Sequence, residues 1–141
     1  MVIFVEIIAF LAAILALSGA SQAADNANSL RLADAGSSRV TVVAPAEAGK
    51  FTKLAVDDLV RCLDDSLGAE VPVVETISAV RTPLSILIGE SFGADFGVPM
   101  QDMHRDSCLL SSRGNSLLIT GPGDSGITNG IYTFLMDYVG A

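Results

Sequence analysis

Tryptophan is missing from the 141 residues, histidine occurs once, cysteine twice, and 8 lysines and arginines face 16 acidic residues. Each scarcity excludes something. A chain of net charge −8 without clustered Lys/Arg has little to displace counterions, so neither nucleic acid nor an anionic membrane surface is an expected partner. One imidazole, His104, and no CxxC pair leave a metal without a ligand set, and no cofactor is expected. Length is limiting too: one domain fits, whereas a (β/α)8 barrel needs roughly 250 residues. Cys62 shares a helical face with Leu59 and Leu63, and Cys108 alternates with Leu110 as in a strand. Both are expected in the core, as two buried thiols or as one disulfide in an oxidising compartment.

What is abundant is apolar surface, 50% of the residues, and part of it lies at the front. Ile7 to Leu17 is uninterrupted and apolar, too short for a membrane span of about 20 residues but suited to a signal-peptide core. Ser21 and Ala23 are the small residues a signal peptidase requires, which places the expected cut before Ala24, with residues 1–23 as leader and the chain secreted or periplasmic, free of membrane once cut. Glu6 and the lack of a basic start depart from the leader pattern and keep an uncleaved anchor as the alternative. Removal of 23 residues leaves 118, with eight bases against fifteen acids. Such a chain can bury one core without disulfide staples.

Residues 24–38, rich in Ala, Asn, Ser and Asp without a period, read as a flexible lead-in. The β-branched run Val40, Val42, Val43 predicts a strand closed by Pro45. Residues 48–67 place Phe51, Leu54, Ala55, Leu59, Cys62 and Leu63 on a helical stripe, with Lys53, Asp57, Arg61 and Asp65 as a ladder of opposite charges outside it. Gly68 stops that helix. Residues 71–75 make a second strand, held to an edge or a strand start by Pro72. Leu84 to Gly89 is apolar enough for burial on both faces. Residues 90–105 are irregular. Two further strands, 107–112 and 116–120, flank Gly114-Asn115, a two-residue hairpin signal. Asp124 or Ser125 is expected to cap a last helix that puts Ile127, Ile131, Phe134, Leu135 and Tyr138 on one face and stops at Gly140. The order β-α-β-β-β-β-α predicts an α+β fold: a mixed sheet of about five strands with two main helices packed on it.

Four patterns resemble catalytic or phosphate-binding sites. Gly89-Glu90-Ser91-Phe92-Gly93 matches G-x-S-x-G after a buried strand, but a nucleophile elbow must enter a helix at once and needs an acid and a histidine downstream. Breakers follow here, so a small esterase using Ser91 is the weakest alternative and a polar turn the expected reading. His104, Asp106 and Ser125 keep the chain order of a trypsin-like triad, yet 21 residues cannot hold the two barrels that build one. Gly121 to Gly126 is glycine-rich between strand and helix, but no Lys completes a P-loop and Asp124 would repel a phosphate. The pairs Asp57/Asp58 and Asp64/Asp65 sit on a solvated helix flank, whereas glycosidase acids must face each other across a cleft. No catalytic residue is expected.

An ordered series of short motifs remains: A-x-x-D-L-x-x-x-L (Ala55 to Leu63), G-x-x-V-P-V (Gly68 to Val73), I-x-I-G (Ile86 to Gly89), Asp106 ahead of a hairpin, G-N-x-L-x-I-x-G (Gly114 to Gly121) and G-x-x-x-G-I-Y-x-F-L (Gly126 to Leu135). Together they resemble the N-terminal accessory domain of bacterial α-glucuronidases and related polysaccharide-utilisation proteins, similar in fold to the N-terminal domain of β-hexosaminidases. The resemblance covers residues 39–141; Asn129, where an aromatic is usual, and Met136, where an acid is frequent, depart from it. It implies a non-catalytic domain that braces a (β/α)8 catalytic barrel in cis or in trans and serves plant-polysaccharide degradation. No catalytic position carries over, because the family's catalytic pair lies in the barrel. Gly126 and Gly130 clear one side of the last helix for close approach to the sheet or to a partner domain, and with Tyr132 they mark a candidate docking helix. A stand-alone carbohydrate-binding or partner-binding module is the alternative. Its sugar platform would be Phe92 and Phe96, unless both pin the loop to the core.

Overall fold

The computed structural model of the chain describes residues 2–5, 33–34 and 36–140. Most of the expected leader and lead-in, 6–32, lies outside the described residues. In chain order the elements are β1 (Val2–Val5), β2 (Ala33–Asp34), β3 (Ser37–Ser38), β4 (Val40–Val43), α1 (Lys50–Leu67), β5 (Val73–Val74), β6 (Leu84–Ile88), β7 (Cys108–Arg113), β8 (Ser116–Thr120) and α2 (Gly123–Phe134). A π-helical turn, Leu135–Val139, extends α2 to Gly140, whose φ of 77° ends it. From β4 onward this is the predicted β-α-β-β-β-β-α order and an α+β fold.

Six strands form one mixed sheet in the order β1-β7-β8-β6-β4-β5. β4, β5, β6 and β8 are mutually parallel, β7 returns antiparallel to β8, and β1 pairs in parallel with β7. Arg113 and Ser116 close the hairpin around Gly114-Asn115, as the sequence predicts. β5 is only two residues long, because Pro72 can accept from Val42 N–H (2.9 Å) but has no N–H to return.

The period-2 alternation of the strands divides the core in two. On one face, Val42, Ile86, Leu117, Ile119 and Leu110 meet Ala55, Leu59 and Leu63 of α1 and Ile127, Ile131 and Phe134 of α2. On the other, Val43, Leu87 and Leu118 meet Phe92, Phe96 and Val98 from the irregular segment, which folds as three 3-10 turns, Glu90–Phe92, Ala94–Phe96 and Met100–Asp102. Strand β6, supplying residues to both faces, is buried along its length.

Three local expectations are corrected. The buried stripe of α1 is Thr52, Ala55, Val56, Leu59 and Leu63, while Phe51 and Leu54 are 63% and 53% exposed. Thr52 displaces them because its hydroxyl and amide have a partner inside, the Asp124 carboxylate, so burial costs it no hydrogen bond. Among the described residues the charge ladder on α1 is replaced by a single pair, Arg61 with Asp58 at 2.7 Å. Asp64 instead accepts from Val71 N–H at 2.7 Å and ties the helix end to the following loop. Finally, Asp124 does not cap its own helix: α2 starts from Pro122 with no side-chain cap. Cys62 and Cys108 are free thiols, Cys108 buried and Cys62 half-buried.

Candidate functional site

Parallel strands with connections leaving on opposite sides create a crevice at their carboxyl ends. Here the connection from β4 runs to α1 and β5, while that from β6 leaves toward β8 and β7, so the reversal falls between β4 and β6. An open depression of about 430 Å³ lies there, walled by Pro45, Glu47, Glu75, Ser78, Ser91 and Phe92 among others. Its chemistry is two carboxylates, several hydroxyls and an apolar wall, with no cation in the lining. Neither Glu47 nor Glu75 has an ion pair among the described residues. The sequence pattern flagged Ser91 and Phe92 but missed Glu47 and Glu75; their positions in the turns that follow parallel strands, Glu75 at once and Glu47 four residues on, are the signal that identifies them.

Ser91 is exposed on the 3-10 turn Glu90–Phe92, and no imidazole or carboxylate hydrogen-bonds to it among the described residues. An elbow serine needs both a following helix and a base within reach; neither is in place. Its neighbour Glu90 is engaged instead, its Oε1 accepting from Gly123 N–H, the first residue of α2. Thus the anion seat at that helix start is filled by a carboxylate of the chain itself. The glycine-rich connection leaves no cradle either: a Cβ on Gly121 would lie 2.5 Å from the Gly126 carbonyl carbon and 2.6 Å from Ser107 O.

Asp124, the next acid along, reaches across to α1. Its Oδ1 accepts from Thr52 N–H at 2.7 Å and Thr52 Oγ1 at 2.5 Å, and its Oδ2 accepts from Phe51 N–H at 3.1 Å. The Thr52 hydroxyl bond, seconded by those two amides, holds the Asp124 carboxyl below the usual carboxylate range. Gly49 precedes α1 at this point, and any Cβ there would strike the carboxylate at 2.4 Å. Each main helix therefore takes its N-terminal carboxylate from another element, α2 from Glu90 and α1 from Asp124.

His104, Asp106 and Ser125 do come together, in the wrong order for catalysis. Ser125 Oγ donates to Asp106 Oδ1 at 3.5 Å, and His104 Nδ1 lies 4.0 Å from Asp106 Oδ2. A triad requires the imidazole between hydroxyl and carboxylate; here the carboxylate is in the middle, and Arg105 Nε also approaches it at 3.6 Å. Of the paired acids on α1, Asp58 accepts from Arg61 and from the Tyr132 hydroxyl at 2.8 Å. That bond, more than burial, raises the Tyr132 pKa. No group of three or more His, Cys, Asp or Glu among the described residues could hold a metal ion.

Phe92 and Phe96 rest half-buried on Val43, Leu87 and Leu118, with the Arg113 guanidinium over the Phe96 ring at 5.4 Å. They hold the loop to the sheet, and only Phe92 also borders the depression. In the candidate docking helix, Gly126 and Gly130 turn inward. A Cβ on Gly130 would lie 2.8 Å from Ile119 Cγ2, and one on Gly126 would lie 2.7 Å from Ser107 O. Of the two approaches the glycines could serve, the one built is to the sheet. Tyr132 is on the outer flank, 38% exposed, with Met136 one turn on and 63% exposed. On α1, Phe51 lies beside Asp124 at the start of α2 and Leu54 stands one turn before Asp58, both exposed. Each of the two adjoining helices thus exposes two large apolar side chains.

Fold and site together define a two-helix, mixed-sheet module whose short motifs resolve into caps and packing contacts. Compared with protein-family models and with curated proteins, the chain matches none.

Proposed function

We propose that the chain is the non-catalytic N-terminal accessory domain of a secreted, α-glucuronidase-like glycoside hydrolase of polysaccharide degradation, and that it braces a (β/α)8 barrel supplied in cis or in trans. The observation that carries this reading is the exposure of Phe51, Leu54, Tyr132 and Met136, apolar surface on the two helices that a neighbouring domain would cover. The motif order from Ala55 to Leu135 and the use of Asp124 and Glu90 to cap the two helices support the same role. Export by a leader cut before Ala24 belongs to the reading.

Sequencing the gene past codon 141 and mixing the chain with the barrel found there, or with one encoded beside it, tests the proposal. The double change Phe51→Ser/Met136→Ser should weaken association by at least about tenfold while leaving the melting temperature of the isolated chain within about 2 °C. Undiminished association, or hydrolysis of aldouronic acids by the chain alone, overturns it.

The depression favours a second reading, a stand-alone carbohydrate-binding module. Its hydroxyls and two carboxylates can accept and donate to a neutral polyhydroxylated unit, while Glu47 and Glu75 would repel a uronate. Xylo-oligosaccharides should then give a binding isotherm that Glu75→Gln and Ser91→Ala weaken; a flat isotherm removes this reading.

A further inference from the structure

The two edges of the sheet are built differently. β5 is two residues long, is entered through Pro72 and is followed at once by Glu75. A short strand flanked by proline and charge is how sheets blunt an edge against unwanted pairing. On the opposite side the edge strand is β1, and the strand beneath it, β7, is six residues long and free of proline, lysine and acid, with Cys108, Leu109 and Leu110 buried. Its one charge, Arg113, stands at its last residue, so Cys108–Ser112 carry no protective device of their own. What covers β7 is β1, seated in unbroken parallel register, Val2 to Cys108, Ile3 to Leu109, Phe4 to Leu110 and Val5 to Ser111.

We infer that the outer edge of β7 is a strand-addition site, occupied in cis by Val2–Val5 and open to β7 of a second copy once that strand is withdrawn. A second copy fits because it presents the same unblunted row of N–H and C=O groups, and a twofold axis perpendicular to the sheet pairs β7 with β7 antiparallel while keeping each face continuous. That axis pairs residues of like parity only. Centred on Leu109 it would set Arg113 against Arg105 of the other copy; centred on Leu110 it sets Arg113 against Ser107. Like charges directly opposite are destabilising, so the Leu109-centred register is disfavoured against the Leu110-centred one. Cleavage before Ala24 is one way to withdraw β1, and to that extent the inference rests on the export part of the proposed reading and on none of its glycosidase part.

The test uses the full chain, produced without export, and the variant Ile3→Pro/Phe4→Pro, in which two successive amides are lost so that one facing β7 is removed either way. The unaltered chain should be monomeric by light scattering, with the amides of Leu109–Ser111 exchanging as slowly as those of β6. The variant should double in mass at high protein concentration, dissociate on dilution with loss of β7 protection, and return to monomer when a Met1–Glu6 peptide is added. A variant that stays monomeric at all concentrations overturns the inference. Where circular dichroism shows the variant unfolded, the unaltered chain decides: β7 amides that exchange as fast as those of Val73–Val74 overturn it as well.

Discussion

One face of the sheet is covered by two helices, the first capped by Asp124 of the second, the other face by a segment of 3-10 turns held by two half-buried phenylalanines. On the helical face, Leu59, Ile131 and Phe134 are completely buried and make one continuous core with the strands. On the other face the buried apolar cluster is Val43, Leu87 and Leu118, the buried Thr41, Ser85 and Thr120 beside them are polar, and the covering side chains, Phe92, Phe96 and Val98, remain partly exposed. The difference teaches where cooperative stability resides. Regular elements with a full apolar stripe supply it, whereas the turn segment is attached by few contacts and is the place where local opening is cheapest.

Truncation on the helical face should therefore do the most damage. Phe134 is fully buried and stacks on Tyr138 with centroids 5.9 Å apart, so Phe134→Ala should cost about 3–5 kcal/mol, measured by denaturant unfolding. Phe92→Ala, on the opposite face, loses only part of a side chain's burial and should cost about 1–2 kcal/mol. Its exchange signature should also differ, with faster amides confined to the segment around residues 90–98. If both changes cost the same and unfold the chain globally, the two faces are one cooperative unit and the contrast fails.

Gly130 sharpens the comparison by a sign. In an exposed helix, Gly→Ala is worth about 1 kcal/mol of stabilisation. Here the new methyl would meet Ile119 Cγ2 at 2.8 Å and Cys108 Cβ at 3.3 Å, and overpacking of a buried site costs about 1–3 kcal/mol. Gly130→Ala should lower the melting temperature; a rise would mean that α2 is free to lift from the sheet.

Much of this arrangement is legible in the residues, and the illegible parts share a cause. The β-branched run at Val40, the hairpin at Gly114-Asn115 and the left-handed stops at Gly68 and Gly140 are local, so turn chemistry and period disclose them. The buried stripe of α1 is ambiguous because two faces of the helix are comparably apolar, and the choice falls to Thr52 through a partner 72 residues away. No spacing rule connects Thr52 to Asp124. β1 is hidden for another reason: an unbroken apolar run carries no period to separate a strand from a leader. For the site, Ser91 and Phe92 drew attention through motifs, whereas Glu47 and Glu75 belong together only through the strand order.

Asp124 gives the finest test, because it joins the two helices without belonging to the apolar core. Asp124→Asn keeps the shape and one accepting oxygen but turns an N–H toward the Phe51 or Thr52 amide, so the variant should melt at a lower temperature than the parent at neutral pH. The acid dependence follows from the depressed pKa, whose first cause is the Thr52 hydroxyl. A carboxyl that binds its proton less readily folded than unfolded stabilises fully above the unfolded value, about 3.9, and loses that contribution as pH falls through the lower folded value. The gap between parent and variant should thus be constant from pH 7 to about 5 and should narrow below about 4. Subtracting the two melting curves cancels the other carboxylates, which titrate alike in both. A gap that persists unchanged to pH 2 would show that hydrogen-bond shape, and not the carboxylate charge at the start of α1, ties the helices together.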